Sequence, residues 1–351
     1  GAKYLQGGDE DGRVAWNDLR VQRLLGSGLA AEVYECTLFG VVVALKQLNT
    51  DCKNAFGEFH VVQQYARWRT LRHPNVVRIL GVVTEPTLVA LVMEVCEGGS
   101  LQDALSNGRW HLAHAGQVLA KVALGLAYIH QEKCAHGDVR PCNVLLSGGV
   151  PKLTDMLLAS TAPLIPRHRD AVQYLAPEFH HGLAAASDLT SEGDVFALAM
   201  MGLHLGTGKL PWRNSERFAM LEGDDPSWEE VVAAVSGERA RPSSKGVVDA
   251  GLRGIIEDGW NHIPAARPTA VQIHHRLSAN PPPASHAGQS LTSLRAPRPS
   301  CSRGNGSGVT SAPSGDEGAL LARNRLPTRL RESLTGSAVP ARGSGREGGP
   351  R

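Results

Sequence analysis

The sequence predicts an α+β protein of two unequal lobes followed by a polar tail. Short β-rich runs fill residues 21–95, helical periodicity fills most of 100–277, and after Asn280 the composition turns to Pro, Ser, Gly, Ala and Arg without aromatic residues. A small strand lobe before a larger helical one suits a cleft between them, the usual setting of a ligand site.

The elements follow in chain order. Residues 1–15 are polar and Gly-containing and read as a frayed terminus, with apolar periodicity beginning at Trp16-Asn17-Asp18-Leu19. Strands are expected over Val21–Leu25, Ala31–Thr37, Val41–Leu48, Val76–Val83 and Leu88–Val95, separated by Gly, Thr or Pro. One helix interrupts them over 53–70, where Phe59, Val62, Ala66 and Arg69 recur three to four apart, and His73-Pro74-Asn75 stops it. The second lobe, from residue 96, predicts helices over Leu101–Leu105, His111–His130, Val195–Leu205, Trp228–Val235, Leu252–Trp260 and Ala270–Leu277, around a strand-and-loop island at 135–158. Residues 281–351 cannot bury enough apolar area to offset chain entropy and are expected to be disordered.

Composition excludes several classes. The 351 residues carry 36 Lys+Arg against 34 Asp+Glu, and a net +2 sets up no field that would draw nucleic acid. Residues 281–351 hold ten Arg and four acids, a local +6 that leaves the body at −4, so the tail reads as a solvated linker, with an anionic partner as the alternative. Six Cys without C-x-x-C spacing read as reduced thiols, which places the protein inside the cell, in the cytoplasm. Apolar runs such as Leu88–Met93 and Val195–Met201 fall short of the ~18 residues of a membrane span. The chain opens on Gly1 rather than Met, which points to N-terminal trimming and leaves any targeting peptide unread. The pairs His180-His181, His274-His275 and His111/His114 lack acid or Cys partners at ligand spacing and read as surface histidines.

Chemistry enters with three segments. Gly26-Ser27-Gly28-Leu29-Ala30-Ala31-Glu32-Val33 is a glycine-rich turn between strands whose missing side chains let backbone N–H groups approach phosphate, although a plain glycine hairpin fits the same residues. Val43-Ala44-Leu45-Lys46 ends an apolar strand on a Lys, where an edge-strand gatekeeper is the simpler reading. The third segment decides. His136-Gly137-Asp138-Val139-Arg140-Pro141-Cys142-Asn143 is followed by Asp155-Met156-Leu157 and by Ala176-Pro177-Glu178.

In this order and spacing the chain resembles the eukaryotic protein kinases, over residues 16–277, with H-G-D-x-x-x-x-N as catalytic loop, D-M-L as metal-binding triplet and A-P-E closing the activation segment. Gly98-Gly99-Ser100-Leu101, Asp194-Val195-Phe196, Pro211-Trp212 and Arg267-Pro268-Thr269 are most similar to the tyrosine-kinase-like group of Ser/Thr kinases. The resemblance implies a bilobal protein-kinase fold, ATP and Mg²⁺ as cofactors, and a protein substrate phosphorylated on Ser or Thr. It implies that Gly26, Ser27 and Gly28 cover the phosphates and that Lys46 holds them. Asn143 and Asp155 then bind the metal through hard oxygens, and Asp138 orients the substrate hydroxyl. Arg140 stands where the family's Lys bridges the catalytic Asp and phosphate. Adenine falls between Val33 and Ala44 above and the Glu94–Cys96 linker below, with Met93 at the back.

The departures are specific. Counting back nine residues from His73 puts Gln64 where the family's Glu pairs the Lys, and Glu58 faces elsewhere at six residues' remove. Gly137 replaces the Arg that clamps a phosphorylated activation loop, Met156 and Leu157 replace Phe and Gly, and Ala171 stands where a Thr braces the catalytic Asp. The alternative reading is therefore a pseudokinase, a nucleotide-binding scaffold without turnover.

Overall fold

The computed structural model describes residues 12–28, 31–49, 65–66, 68–85, 88–156, 169–180, 189–214 and 226–279. Short runs rich in apolar and β-branched residues assemble β1 (Leu19–Ser27), β2 (Ala31–Leu38), β3 (Val41–Leu48), β4 (Ile79–Glu85) and β5 (Leu88–Met93) into an antiparallel sheet of order β1-β2-β3-β5-β4. The two-residue repeat of β3 sends Ala44 and Leu48 into the main core and Val43 and Leu45 into an outer cluster with Leu19, Tyr34, Cys36 and Val92. Both faces are covered, so the strand is apolar nearly throughout.

Three expectations shift at the edges of this lobe. The fourth strand starts at Ile79 rather than Val76, because Val77 N–H donates to Leu153 O (2.8 Å) and Leu153 N–H to Asn75 O (2.8 Å), tying this stretch to the second lobe. The fifth strand ends at Met93 and releases residues 94–96 as a linker. At the N-terminus, Gly12–Val14 fall within the stretch expected to fray, yet Val14 N–H donates to Val82 O (2.8 Å) and Val82 N–H to Gly12 O (3.2 Å). Backbone pairing to a strand edge overrides the polar composition. Tyr65, Ala66 and Trp68 are helical, as the periodicity predicts, while residues 53–64, with Gln64 and Glu58, lie outside the described residues, as do 1–11, Leu157 and the tail.

The second lobe is helical. α1 (Leu101–Ser106) begins at a capping box: Ser100 Oγ accepts from Asp103 N–H (3.0 Å) and Asp103 Oδ2 from Ser100 N–H (2.8 Å). α2 (Ala115–Gln131) is the central post, packed against α3 (Ser191–Thr207) and α6 (Ala270–Ala279), with α5 (Ala250–Gly259) against α3. Leu112–Gln131 is long and apolar enough to cross a membrane, with a mean hydropathy of 1.4, but the packing makes it the lobe's core helix, most of it buried. α4 (Trp228–Val232) passes into a single π-turn over Ala233–Gly237, where one longer helix is expected. The short hairpin β6 (Val144–Ser147) and β7 (Val150–Leu153) carries the loop island.

A buried ion pair closes the lobe's base: Arg267, whose side chain is fully covered, sends two parallel N–H bonds to Glu178 (2.6 and 2.8 Å) and further bonds to Asn261 O and Glu192 O. Among the histidines expected at the surface, His111 and His275 are exposed, and two others are not. His114 and His180 are buried rather than superficial, and His180 links Ser236 Oγ (2.7 Å) to Leu175 O (3.2 Å). A ring that finds two polar partners can be buried at little cost. His274 bonds Ala120 O (2.9 Å), so it too acts in packing.

His204 yields a stability prediction. It lies buried on α3 with Tyr174 Oη 2.7 Å from its Nδ1, and burial lowers its pKa from 6.5 to about 4. The folded protein keeps the ring neutral, whereas the unfolded chain takes up a proton below about pH 6.5. Stability is fully present above that pH and falls as pH drops towards 4, by ~3 kcal/mol across the window. Replacing His204 by Asn should flatten the loss between pH 7 and 4.5 in denaturant titrations; an unchanged slope would locate the acid sensitivity elsewhere.

Candidate active site

The cleft is built from strand register and two anchored loops. Antiparallel pairing sets Val33 opposite Lys46 and Ala44 opposite Met93, so these four side chains come to one face of the sheet. β3 lies inside the sheet and Lys46 is only 8% exposed, which removes the gatekeeper reading. Gly26, Ser27 and Gly28 end β1 in the open, and Gly28 N–H donates to Ala31 O (2.9 Å) to close the turn; Leu29 and Ala30 lie outside the described residues. A Cβ on Gly26 would meet nothing within 4 Å, so that glycine serves no internal packing contact.

The linker below is anchored through Glu94. Its Oε1 accepts from Lys152 Nζ (2.9 Å) and Arg78 N–H (2.8 Å), and its own N–H donates to Arg78 O (3.0 Å). Glu94 therefore braces the linker with its side chain. Cys96 packs against the core; burial, then Glu94, push its thiol up to about 12. Cys142 in the catalytic loop is likewise raised to about 12, mainly by burial. Neither is a thiolate nucleophile at neutral pH.

The catalytic loop hangs from one buried carboxylate. Asp194 accepts from His136 N–H (2.7 Å), Gly137 N–H (2.7 Å) and His130 Nε2 (2.8 Å). The His136 Nδ1 accepts from Asp138 N–H (3.2 Å), which leaves Nε2–H to donate to Thr154 O (2.9 Å) and ties this loop to the one carrying Asp155. Gly137 has φ +76°, where a side chain costs roughly 1–2 kcal/mol, so the glycine relieves strain at the position of the family's Arg.

Asp138 is held from two sides. Arg140 Nε lies 2.9 Å from Oδ1 and 3.1 Å from Oδ2, and Asn143 Nδ2 donates to Oδ2 (2.6 Å) and to the Asp138 carbonyl (2.8 Å). Burial works against the Arg140 charge, but Asp138 outweighs it and holds the guanidinium pKa above its ordinary value. Ala171, expected beside Asp138, is buried in the 3₁₀ turn Arg169–Tyr174 and has no hydroxyl to add.

Asp155 Oδ1 accepts from Lys46 Nζ and, at 3.4 Å, from Thr154 Oγ1. Burial alone would raise this carboxyl, but the Lys46 charge and hydrogen bond, with His136 and Arg140, hold it below the usual carboxylate range. Met156 beside it is buried and lines a cavity with Lys46, Trp68, Leu91, Met93 and Asp155. That cavity lies towards Trp68, at the Met93 end of the cleft.

The oxygens fit a divalent cation. Asp155 Oδ2 takes part in none of the hydrogen bonds found among the described residues, and Asn143 Oδ1 receives only the weak Cys142 thiol contact at 3.5 Å. Two hard donors are left with vacant lone pairs while their other atoms are pinned, which suits Mg²⁺ rather than a soft metal. Residues 19–277 match the protein kinase domain family.

The chain belongs to the protein kinase family. Its kinase domain is 30% identical over 278 residues to the serine/threonine-protein kinase SSK22 of Saccharomyces cerevisiae, covering 71% of this chain and 20% of that one. It is 27% identical over 256 residues to serine/threonine-protein kinase 12 of Arabidopsis thaliana (68% and 52%), and 25% identical over 277 residues to the Arabidopsis kinase STY46 (76% and 46%). The chain thus spans a fifth to about half the length of these relatives. The kinase reading explains the clustering of Lys46, Asp138, Asn143 and Asp155; sequence inspection missed the hub role of Asp194, although an acid opening the apolar run Val195–Met201 was a visible signal.

Proposed function

We propose that this kinase domain transfers the γ-phosphoryl group of ATP to Ser or Thr hydroxyls of a protein substrate, the activity for which the relatives above are named, and that it belongs to the tyrosine-kinase-like group. The observation that carries the reading is the joint placement of four groups, with Asp138 and Asn143 pinned to one another and Lys46 paired to Asp155. A scaffold without turnover has no need to keep all four in register. Free thiols at Cys36, Cys96, Cys134 and Cys142 support an intracellular, cytoplasmic setting.

Each residue has a derivable task. Lys46 is a buried point charge, aimed into the cleft from the central strand, that holds phosphate oxygens. Gly26, Ser27 and Gly28 present backbone above them, and Val33, Ala44 and Met93 supply apolar contact to the base. Asn143 and Asp155 would hold Mg²⁺, whose charge offsets the negative charge of the phosphates. Asp138, fixed by Asn143 and Arg140, points an acceptor oxygen at the substrate hydroxyl and takes its proton as the new P–O bond forms. Arg140 neutralises Asp138 beforehand and leaves its remaining N–H groups for the transferring phosphate.

Nucleotide binding should therefore depend on Lys46 and, when Mg²⁺ is present, on Asp155. Thermal-shift titration with ATP·Mg²⁺ is expected to stabilise the wild type by RT ln(1 + [L]/Kd), about 2.7 kcal/mol at a hundred times Kd, and Lys46→Ala and Asp155→Ala far less. Equal stabilisation of all three proteins would refute the site assignment.

A further inference from the structure

The kinase match begins at residue 19, yet Gly12–Val14 are built into the lobe. Their two backbone hydrogen bonds and the parallel bridge of Arg13 with Val82 pair the segment to β4, the last strand of the sheet, and cover part of its open edge. A second contact reaches the helical segment. Tyr65 Oη donates to Gly12 O (3.0 Å), and Arg69 lies 5.8 Å over the Tyr65 ring.

Two glycines let the crossing come this close. A Cβ on Gly12, which has φ +72°, would collide with Tyr65 Oη, and a Cβ on Gly81 would collide with Val14 Cγ2. Three residues therefore touch the sheet edge and the helix end at once. Packing leads on from there: Trp68, three positions after Tyr65, lines the cavity shared with Lys46, Met93 and Asp155. Tyr65 and Trp68 belong to one buried apolar cluster with Leu91 and Met93, which joins the strap's seat to the site.

We propose that Gly12–Val14 form a regulatory strap, whose seating on β4 and Tyr65 holds the Trp68 side of the cleft in its ATP-ready shape. A segment or protein partner that engages the chain before Gly12 and draws the strap off would weaken nucleotide binding. The inference rests on the ATP reading above and adds to it a site of control outside the matched domain. The strap acts only through the difference in free energy between its seated and lifted states, so its effect is a shift in ATP dependence rather than an on–off loss.

The test uses the full chain. Gly81→Ala drives a methyl against Val14, and Gly81→Ala/Val14→Ala removes the atom it strikes; deletion of residues 1–14 serves as an independent lift. Hydrogen exchange at the Val14 and Val82 amides reports seating, and steady-state kinetics separate the KM for ATP from kcat. Gly81→Ala is expected to speed exchange at both amides and raise the KM for ATP by roughly tenfold, inside the ~5–150-fold range of coupling between sites, with a smaller change in kcat. The double variant should return both readouts close to wild type, and the deletion should reproduce the KM shift. Faster exchange with an unchanged KM, a KM shift that Val14→Ala does not rescue, or a deletion without effect on KM would each overturn the strap. A wild type that binds no ATP would refute the nucleotide reading and the strap with it.

Discussion

Asp138→Asn is expected to lower kcat by about 10²- to 10⁴-fold, the contribution typical of one positioned general base, while nucleotide binding stays within a factor of about three. The carboxylate is held without freedom to reorient, by Arg140 at 2.9 and 3.1 Å and by Asn143 Nδ2 at 2.6 Å. An amide of the same shape keeps the packing but has no oxygen that accepts a full proton, and its NH₂ faces either Arg140 or Asn143, both donors. Transfer of labelled phosphate to a Ser/Thr peptide mixture, measured beside wild type, checks this. Equal rates would mean that Asp138 is not the base, and equal absence of transfer would return the scaffold reading.

The largest loss of stability should come from Asp194→Ala. Asp194 is 2% exposed and receives three donors, two of them the backbone N–H groups of His136 and Gly137. Truncation orphans both inside the lobe at about 1–3 kcal/mol each, and His130 loses its partner as well. A loss of about 3–5 kcal/mol corresponds to roughly 10 °C in Tm for a domain of this size. Activity should fall further than stability accounts for, since Asp138 follows His136 and Gly137 in the chain. Asp194→Asn keeps one accepting oxygen but presents an NH₂ to the second backbone donor, so about half the loss is expected. Calorimetry that finds both variants within 2 °C of wild type would show that the loop has other support.

The departures at Gly137 and Met156 take on a physical meaning once placed. Gly137 sits at φ +76° with its N–H spent on Asp194, so the residue type answers the backbone there as well as removing a phosphate clamp. Met156 fills an apolar wall that asks for volume more than for a ring. Gln64 and Leu157 fall outside the described residues.

Much of this was legible in one dimension. The continuous apolar run Val41–Leu45 and the period of three to four over Val118–Ile129 reflect burial, which local sequence reports directly because side-chain direction repeats with the backbone. Residue types at set spacing pointed to Lys46, Asp138, Asn143 and Asp155, because the chemistry of phosphate and hard cations restricts what can serve. Tertiary structure alone decided the rest: that Asp194, far along the chain, suspends the catalytic loop; that the Glu94 side chain braces the linker; that His180 is buried against Ser236; and that Gly12–Val14 pair with the edge of β4. Each is a hydrogen bond between groups distant in sequence, and composition carries no record of which partner a polar group will find when the chain closes.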